Sequence, residues 1–139
     1  MRHFLLAAAA VALVTSGPVL AQSAAERTAA AALEAAPVWD GHNDVPIQLR
    51  SRFGNVIGDF DFSDTLDTQT SERSAMHSDL ARLRQGMVGA QWWSVYVSPS
   101  LPEAEAVQAT VEQIDVTKRL IARYPDALQL ALTADDVEQ

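Results

Sequence analysis

The sequence feature that most constrains the fold is residues 87–97, a strand-length run with apolar side chains on both faces. In an extended segment, successive side chains point to opposite faces. One face then carries Val88, Ala90, Trp92, Ser94 and Tyr96, and the other carries Gly89, Gln91, Trp93, Val95 and Val97. A strand that is apolar on both faces is typical of a parallel sheet covered by helices. The run therefore predicts a strand that is buried on both sides within an α/β fold.

Helix and strand patterns alternate along the chain. The predicted helices cover residues 23–36, 78–86 and 103–124, with another starting at Ala134, and the predicted strands cover 38–42, 87–97 and 128–132. The signals that cap or stop these helices are Pro37, Ser78 as an N-cap, Gly86, Pro125 and a Thr133–Asp136 capping box. Alternation of this kind implies right-handed βαβ units around a parallel sheet.

Two segments give more specific expectations. Along residues 103–124, apolar residues recur at helical spacing and predict the apolar face of the helix, which carries Val107, Val111, Ile114, Ile121 and Tyr124. Residues 43–74 are predicted to be mostly irregular, with one helical turn near 47–52. A long loop directly after a His-Asn-Asp strand end is expected to cover a site. Within it, Arg50 and Arg52 could bind a peptide carboxylate, but solvated loop side chains are the simpler interpretation.

The first 21 residues have the layout of a secretory signal peptide. Arg2 gives a positive start, residues 4–14 are an unbroken apolar run, and Val19-Leu20-Ala21 supplies the small residues of a cleavage site. The apolar run is shorter than the ~20 residues that a membrane-spanning helix needs, so no transmembrane anchor is expected. The chain is therefore predicted to be exported, to the periplasm or to the medium.

Charge and cysteine content narrow the range of partners and of metal ligands. The formal net charge of −8 argues against nucleic acid and against anionic membrane surfaces as partners. Because the sequence contains no cysteine, any metal site must be built from His, Asp and Glu. With 48% hydrophobic and 20% charged residues, the composition is that of a globular protein and not of a disordered one.

The candidate metal ligands are His42 and Asp44, which follow the first predicted strand. Side chains two residues apart in an extended segment point to the same side, so this imidazole and this carboxylate can converge on one point. Both groups are competent zinc ligands, and Asp40 or a backbone carbonyl could orient the imidazole from behind. The alternative is a capped turn in which Asn43 and Asp44 bond their own backbone and His42 packs in the core.

Three sequence blocks resemble the membrane dipeptidase family, also called renal dipeptidases. The signature that opens that family's catalytic domain is similar to residues 38–46, VWDGHNDVP. The family's second strand and the helix before it are similar to residues 79–97, DLARLRQGMVGAQWWSVYV, and its next helix is similar to residues 111–115, VEQID, with Tyr124-Pro125. The blocks come in the family's order with compatible spacing, and the resemblance covers about residues 37–139.

The resemblance implies a fold, a metal centre and a reaction. The fold is a (β/α)8 TIM barrel of the metal-dependent hydrolase type, and the reaction is hydrolysis of a dipeptide. The site holds two zinc ions, and His42 and Asp44 match the family's first-strand ligands to one of them. The resemblance is also compatible with a homodimer of the complete enzyme.

The same resemblance implies that the chain is an incomplete N-terminal portion of the enzyme. Its expected parts are a signal peptide at residues 1–21, an N-terminal helix at 22–36 and an incomplete barrel domain at 37–139, with about three βα units. A complete barrel takes about 250 residues. The family's other metal ligands, substrate-binding residues and general acid/base come later in its sequence, so no catalytic residue is expected in this chain.

Two other functions are consistent with the same residues. One is a different metal-dependent amidohydrolase of the same superfold, acting for example on esters or lactams, because the fold alone does not define the substrate. The other is a non-catalytic exported α/β module that binds a partner through an exposed sheet edge. Whether a stop codon follows Gln139 separates this last alternative from the enzyme.

Overall fold

The computed structural model describes residues 22–137, and the predicted signal peptide at residues 1–21 lies outside the described residues. The helices are α1 (Ala24–Ala35), α2 (Val45–Phe53), α3 (Leu80–Gln85), α4 (Glu103–Arg123) and α5 (Ala134–Val137), and the strands are β1 (Val38–Asn43) and β2 (Val88–Trp93). Short 3-10 turns occupy Ile57–Asp59 and Leu66–Thr68. Within residues 22–137, no helix combines the length and apolar content that crossing a bilayer requires.

The ends of the predicted helices are mostly confirmed. Ser23 caps α1 in a reciprocal capping box with Glu26, and the helix ends before Pro37 as expected. α5 begins at Ala134, where the Asp136 carboxylate accepts hydrogen bonds from the backbone N–H groups of Leu132 and Thr133. These helix ends are local features, because each depends on side chains within a few residues of the backbone groups that they satisfy.

β1 and β2 pair in parallel, which confirms the predicted type of sheet. Gly89 permits their close approach at one end, because a Cβ atom there would lie only 2.8 Å from Pro37 Cβ. The predicted third strand at residues 128–132 is wrong: in the described part of the chain the sheet has two strands, and Leu132 is 81% exposed. A strand is stabilised by pairing with a neighbour, and in residues 22–137 this segment has none.

The prediction that the second strand is buried on both faces is also wrong for the described residues. β2 has six residues, Val88–Trp93, and Met87 before it has a left-handed backbone with φ of 53°. Trp93 packs against the hydrophobic core, whereas Trp92 on the opposite face is 66% exposed. Both tryptophans give the same apolar signal in sequence, but only one face is covered within residues 22–137.

The core lies between α2, α3, α4 and the segment that joins α2 to α3. Its buried side chains are Val45, Leu49, Phe60, Phe62, Met76, Leu80, Val116 and Leu120. Phe62 is fully buried, 5.8 Å from the ring centroid of Phe60 and 5.6 Å from that of Trp93. Residues 43–74 are thus more ordered than predicted, since they contain a nine-residue helix and two aromatic core residues.

The buried face of α4 differs from the apolar face that the sequence predicts. Val107 is 61% exposed, and Val111 and Ile114 are also exposed, whereas Tyr124 from the predicted face packs against the core. The residues that α4 buries are Ala109, Gln113, Val116 and Leu120. Hydropathy fails here because the polar Gln113 occupies the buried face, where its side-chain oxygen accepts hydrogen bonds from Arg50 Nε at 3.0 Å and Asn55 Nδ2 at 3.3 Å.

Arg50 joins α2 to α4 and is not a solvated loop side chain. Besides its bond to Gln113, its guanidinium donates to the carbonyl oxygen of Ala109 at 3.3 Å and pairs with the carboxylate of Glu112. Arg52 likewise donates within the chain, to Gln48 Oε1 at 2.8 Å and Ser74 O at 2.9 Å. Both arginines therefore have partners within the chain, which contradicts the prediction that they are solvated loop side chains.

Asp79 is the true N-cap of α3, one residue after the predicted Ser78. Its carboxylate is 1% exposed and accepts from the backbone N–H of Arg82 at 2.7 Å and from Arg82 Nε at 2.8 Å. It also accepts from the backbone N–H of Thr65 at 3.1 Å. Burial alone would raise the pKa of Asp79, but the hydrogen bonds and charge of Arg82 outweigh it and lower this pKa to about 2.

We predict that Asp79→Asn removes stability in a pH-dependent way. The folded-state pKa lies below the unfolded-state pKa, so the charged carboxylate stabilises the fold by roughly 2 kcal/mol above about pH 4, and this contribution is lost as pH falls toward 2. Asn can still cap the helix through its one acceptor oxygen, but its NH2 group would face the donors of Thr65 and Arg82, so only the pH-dependent part of the difference reports the charge of Asp79. Urea unfolding of both proteins should show a difference that narrows by about 1 kcal/mol from pH 7 to pH 3. A constant difference over that range would contradict this assignment.

Candidate metal centre

The candidate site lies where β1 ends and α2 begins. β1 runs through Asn43, whose carbonyl oxygen accepts a hydrogen bond from the backbone N–H of Ser94 just after β2. Asp44 follows, and α2 starts at Val45. The carboxyl ends of both parallel strands therefore meet at this edge, which is where α/β proteins bind ligands.

His42 and Asp44 come together at this edge, as their spacing predicts. His42 Nε2 lies 3.1 Å from Asp44 Oδ1, and the two side chains are 69% and 50% exposed. This geometry contradicts one part of the alternative prediction, a histidine packed in the core. Another part is confirmed, because Asn43 bonds its own backbone by accepting from the N–H of Val45 at 3.1 Å. His42 and Asp44 both face solvent, and the long segment after them does not cover them: its aromatic residues Phe60 and Phe62 pack in the core instead.

An irregularity in β1 directs the His42 side chain away from the side of the strand on which Asp40 and Asn43 lie. Asp40 pairs with Gln91 and Asn43 pairs with Trp93, so β1 uses three steps where β2 uses two. The extra residue behaves as a bulge, which re-aims the side chains that follow it. Asn43 consequently shares a side with Asp40, and its Nδ2 donates to Asp40 Oδ2 at 3.2 Å.

Asp44 occupies the N-cap position of α2, yet its carboxylate makes no capping hydrogen bond. The side-chain oxygen of Asn43 accepts from the backbone N–H of Val45 at 3.1 Å. Asp44 can therefore direct its carboxylate toward His42. A carboxylate beside the first turn of a helix is also stabilised by the positive end of the helix dipole.

Asp40 supports the site through the backbone and not through the imidazole, which corrects the expectation that it would orient the His42 ring. Its Oδ1 accepts from the backbone N–H of His42 at 3.1 Å, and its Oδ2 accepts from Gln91 Nε2 at 2.7 Å as well as from Asn43. The bond from the His42 backbone, aided by the two side-chain amides, lowers the pKa of Asp40 against the opposing effect of burial.

The His42–Asp44 pair fits a zinc ion. Two donor atoms that each lie about 2.0–2.1 Å from a tetrahedral zinc are roughly 3.4 Å apart, close to the 3.1 Å between His42 Nε2 and Asp44 Oδ1. Among residues 22–137, no group of three or more His, Cys, Asp or Glu side chains comes together in a way that could hold a metal. The described residues thus supply two donors, fewer than the three protein ligands of a typical catalytic zinc.

The other candidates from the sequence lie elsewhere. His77 is exposed, as expected for a surface residue before a helix cap. A surface cavity of about 420 Å³ opens between α2 and α4 and is lined by Arg50, Gly54, Asn55, Glu112, Asp115 and Arg119. Its two arginines are already paired, Arg50 with Glu112 and Arg119 with Asp115 at 2.7 Å. The Asp115–Arg119 pair confirms the spacing of four residues that the sequence predicts on α4.

Sequence reasoning missed the residues that hold the site from below. Asn43, Ser78 and Gln91 form hydrogen bonds with Asp40 or with one another at this edge. Gln91 donates to Asp40 and accepts from Trp93 Nε1 at 3.0 Å. The only sequence signal for the group is a set of polar residues among apolar neighbours. Ser78 lies 35 residues from Asn43, so spacing alone could not pair them.

The chain is an α/β protein with a parallel sheet and an exposed imidazole–carboxylate pair at the end of its first strand. In α/β proteins, this edge of the sheet is where ligands bind. Comparison with known sequences identifies the family. The sequence model of the family described as Membrane dipeptidase (Peptidase family M19) matches residues 26–139. The chain belongs to this family, which confirms the resemblance seen in its motifs.

Individual relatives agree with the family match. The chain is 40% identical over 99 residues to Dipeptidase 3 of Rattus norvegicus, covering 71% of this chain and 18% of that protein. It is also 40% identical over 107 residues to Dipeptidase 3 of Homo sapiens, covering 77% of this chain and 20% of that protein. The chain therefore spans about a fifth of the length of the curated relatives that it matches.

We predict that Asp40→Asn loosens this edge of the sheet. Three donors point at the two carboxylate oxygens of Asp40, and an amide offers one acceptor oxygen and places an NH2 group against at least one donor. The melting temperature at pH 7 should fall by several degrees. Asp67→Asn makes the same chemical change at an exposed aspartate in the segment between α2 and α3, so it serves as the control and should leave the melting temperature near that of the unchanged protein.

Proposed function

We propose that this chain is the opening part of an exported, zinc-dependent dipeptidase in which His42 and Asp44 bind one of two zinc ions. The observation that carries the proposal is the 3.1 Å approach of His42 Nε2 to Asp44 Oδ1 at the exposed end of β1. Membership of the membrane dipeptidase family and the names of the relatives support hydrolysis of a dipeptide as the reaction.

The proposed domain organisation follows the sequence. Residues 1–21 are a signal peptide that directs the protein to the periplasm or the medium, and residues 22–36 contain the N-terminal helix. Residues 37–139 contribute the first βα units of a (β/α)8 barrel, of which β1 with α2 and β2 with α4 are seen in the described residues. The parallel pairing of β1 with β2 supports this arrangement, because a barrel of this type contains only parallel neighbours.

In this proposal the chain contributes ligands and their support, and the catalytic groups lie in other parts of the protein. The His42 imidazole and the Asp44 carboxylate hold zinc, while Asp40, Asn43 and Gln91 fix the backbone beneath them. A zinc ion held there would supply Lewis-acid chemistry, which lowers the pKa of a bound water and polarises a substrate carbonyl. Additional ligands are required, because the described residues offer only two donors at this point.

We predict that His42→Ala in the full-length protein abolishes dipeptide hydrolysis and lowers the zinc content of the purified enzyme. The substitution removes one of the two donor groups. Because the His42 side chain is exposed, its loss should not disturb the packing of the core. Metal analysis and turnover of a simple dipeptide are the measurements. His77→Ala is the matched control, since His77 is also exposed but lies in the segment before α3. Two zinc ions per chain in His42→Ala would remove His42 from the ligand set.

We also predict that purified residues 22–139 do not hydrolyse dipeptides and bind zinc weakly. Two donors at one point give far less affinity than the three or four of a complete zinc site. Isothermal titration with zinc chloride and a dipeptide hydrolysis assay test this. Measurable turnover by this chain would show that its own residues suffice for catalysis.

A further inference from the structure

We propose that Asn43 is the positioning residue of this metal site. Its side chain fixes the directions in which His42 and Asp44 project, although it is not itself a ligand. The inference rests on the proposed function, because it concerns how the same donor pair is held. Asn43 lies between the two ligands in sequence, and its side chain points to the opposite side of the backbone from theirs.

The carboxamide of Asn43 makes three hydrogen bonds, each with a different part of the chain. Its Oδ1 accepts from the backbone N–H of Val45, which begins α2, at 3.1 Å. Its Nδ2 donates to Asp40 Oδ2 on β1 at 3.2 Å and to Ser78 Oγ at 3.0 Å. One side chain therefore joins the strand that carries His42, the helix that follows Asp44, and the segment that leads into α3.

These contacts require an amide at position 43. One end of the group faces a backbone N–H and must accept, whereas the other end faces the Asp40 carboxylate and must donate. An aspartate would set a second carboxylate against Asp40, and a leucine would make none of the three bonds. The need for a donor end and an acceptor end also fixes the orientation of the amide.

The partners of Asn43 connect it to the rigid part of the fold. Asp40 accepts from Gln91, which accepts from Trp93, and Trp93 packs edge-on against the buried Phe62 at 5.6 Å. On the other side, Ser78 precedes Asp79, whose buried carboxylate holds Arg82 and Thr65. Asn43 is therefore connected to buried core residues on two sides, through Asp40 and through Ser78.

Among residues 22–137, no side chain supports the His42 ring or the Asp44 carboxylate in a comparable way. The His42 ring and the Asp44 carboxylate are hydrogen-bonded to each other and are largely exposed. Their directions consequently depend on the backbone at residues 42–44, which Asn43 anchors at its centre. Groups that orient metal ligands from behind typically contribute about 10- to 100-fold to metal affinity.

The test is zinc affinity in the full-length protein, measured by competition with a chromogenic chelator at a temperature where circular dichroism shows each variant folded. Asn43→Asp should weaken zinc binding by about 10- to 100-fold. Ser78→Ala, which removes a single bond to Asn43, should weaken binding in the same direction by a smaller factor. Ser78→Thr keeps the hydroxyl and should restore affinity, which loss of general stability would not do.

Asn55→Asp is the matched control. Asn55 lies beyond the far end of α2, about 13 Å along a helix of this length, and donates to Gln113. It should lower the melting temperature and leave zinc affinity unchanged. If Asn43→Asp does not fold, the comparison of Ser78→Ala with Ser78→Thr is the test.

Two outcomes separate failure of this inference from failure of the proposed function. If His42→Ala loses zinc while Asn43→Asp and Ser78→Ala bind it like the unchanged protein, the positioning role of Asn43 is overturned and the metal site stands. If His42→Ala keeps its zinc, the metal site itself is wrong and the positioning role falls with it.

Discussion

Parallel pairing of β1 with β2 provides the backbone on which the rest of the site depends. Because β1 contains one residue more than β2 between Asp40 and Asn43, the side chains of Asp40 and Asn43 lie on the same side. His42 and Asp44 are then directed to the exposed side, where they meet. A regular strand would instead have placed His42 beside Asp40, since alternate side chains share a face.

Buried polar groups hold the core together as much as its aromatic residues do. Gln113 is fully buried on α4 and accepts from Arg50 and Asn55, which lie at the end of α2. Asp79 and Thr65 are buried together under Arg82. Hydrogen bonds require strict geometry, so these contacts constrain how α2, α3 and α4 sit against the segment that carries Phe60 and Phe62. The Gln113 network is not fully satisfied among the described residues, because Gln113 Nε2 and Asn55 Oδ1 are buried there without a hydrogen-bond partner.

Sequence patterns predicted the local structure well and the packing poorly. The end of α1 before Pro37, the start of α5 and the Asp115–Arg119 pair were predicted correctly, because each depends on residues a few positions apart. The buried face of α4 and the burial of β2 were not predicted correctly, because burial depends on which neighbouring elements cover a face. The third strand at 128–132 failed for the same reason, since within residues 22–137 it has no partner to pair with.

By itself, the sequence determined the type of sheet, the family and the two candidate ligands, since these are written in short motifs and in spacings of two or four residues. The tertiary structure decided which side chains support those ligands. Ser78 reaches Asn43 across 35 residues, and Gln91 reaches Asp40 across 51. Contacts over such separations arise only when the chain folds back on itself, so no local pattern can specify them. The register of β1 against β2 was likewise set by packing, and it directs His42 and Asp44 to the exposed side of the strand end.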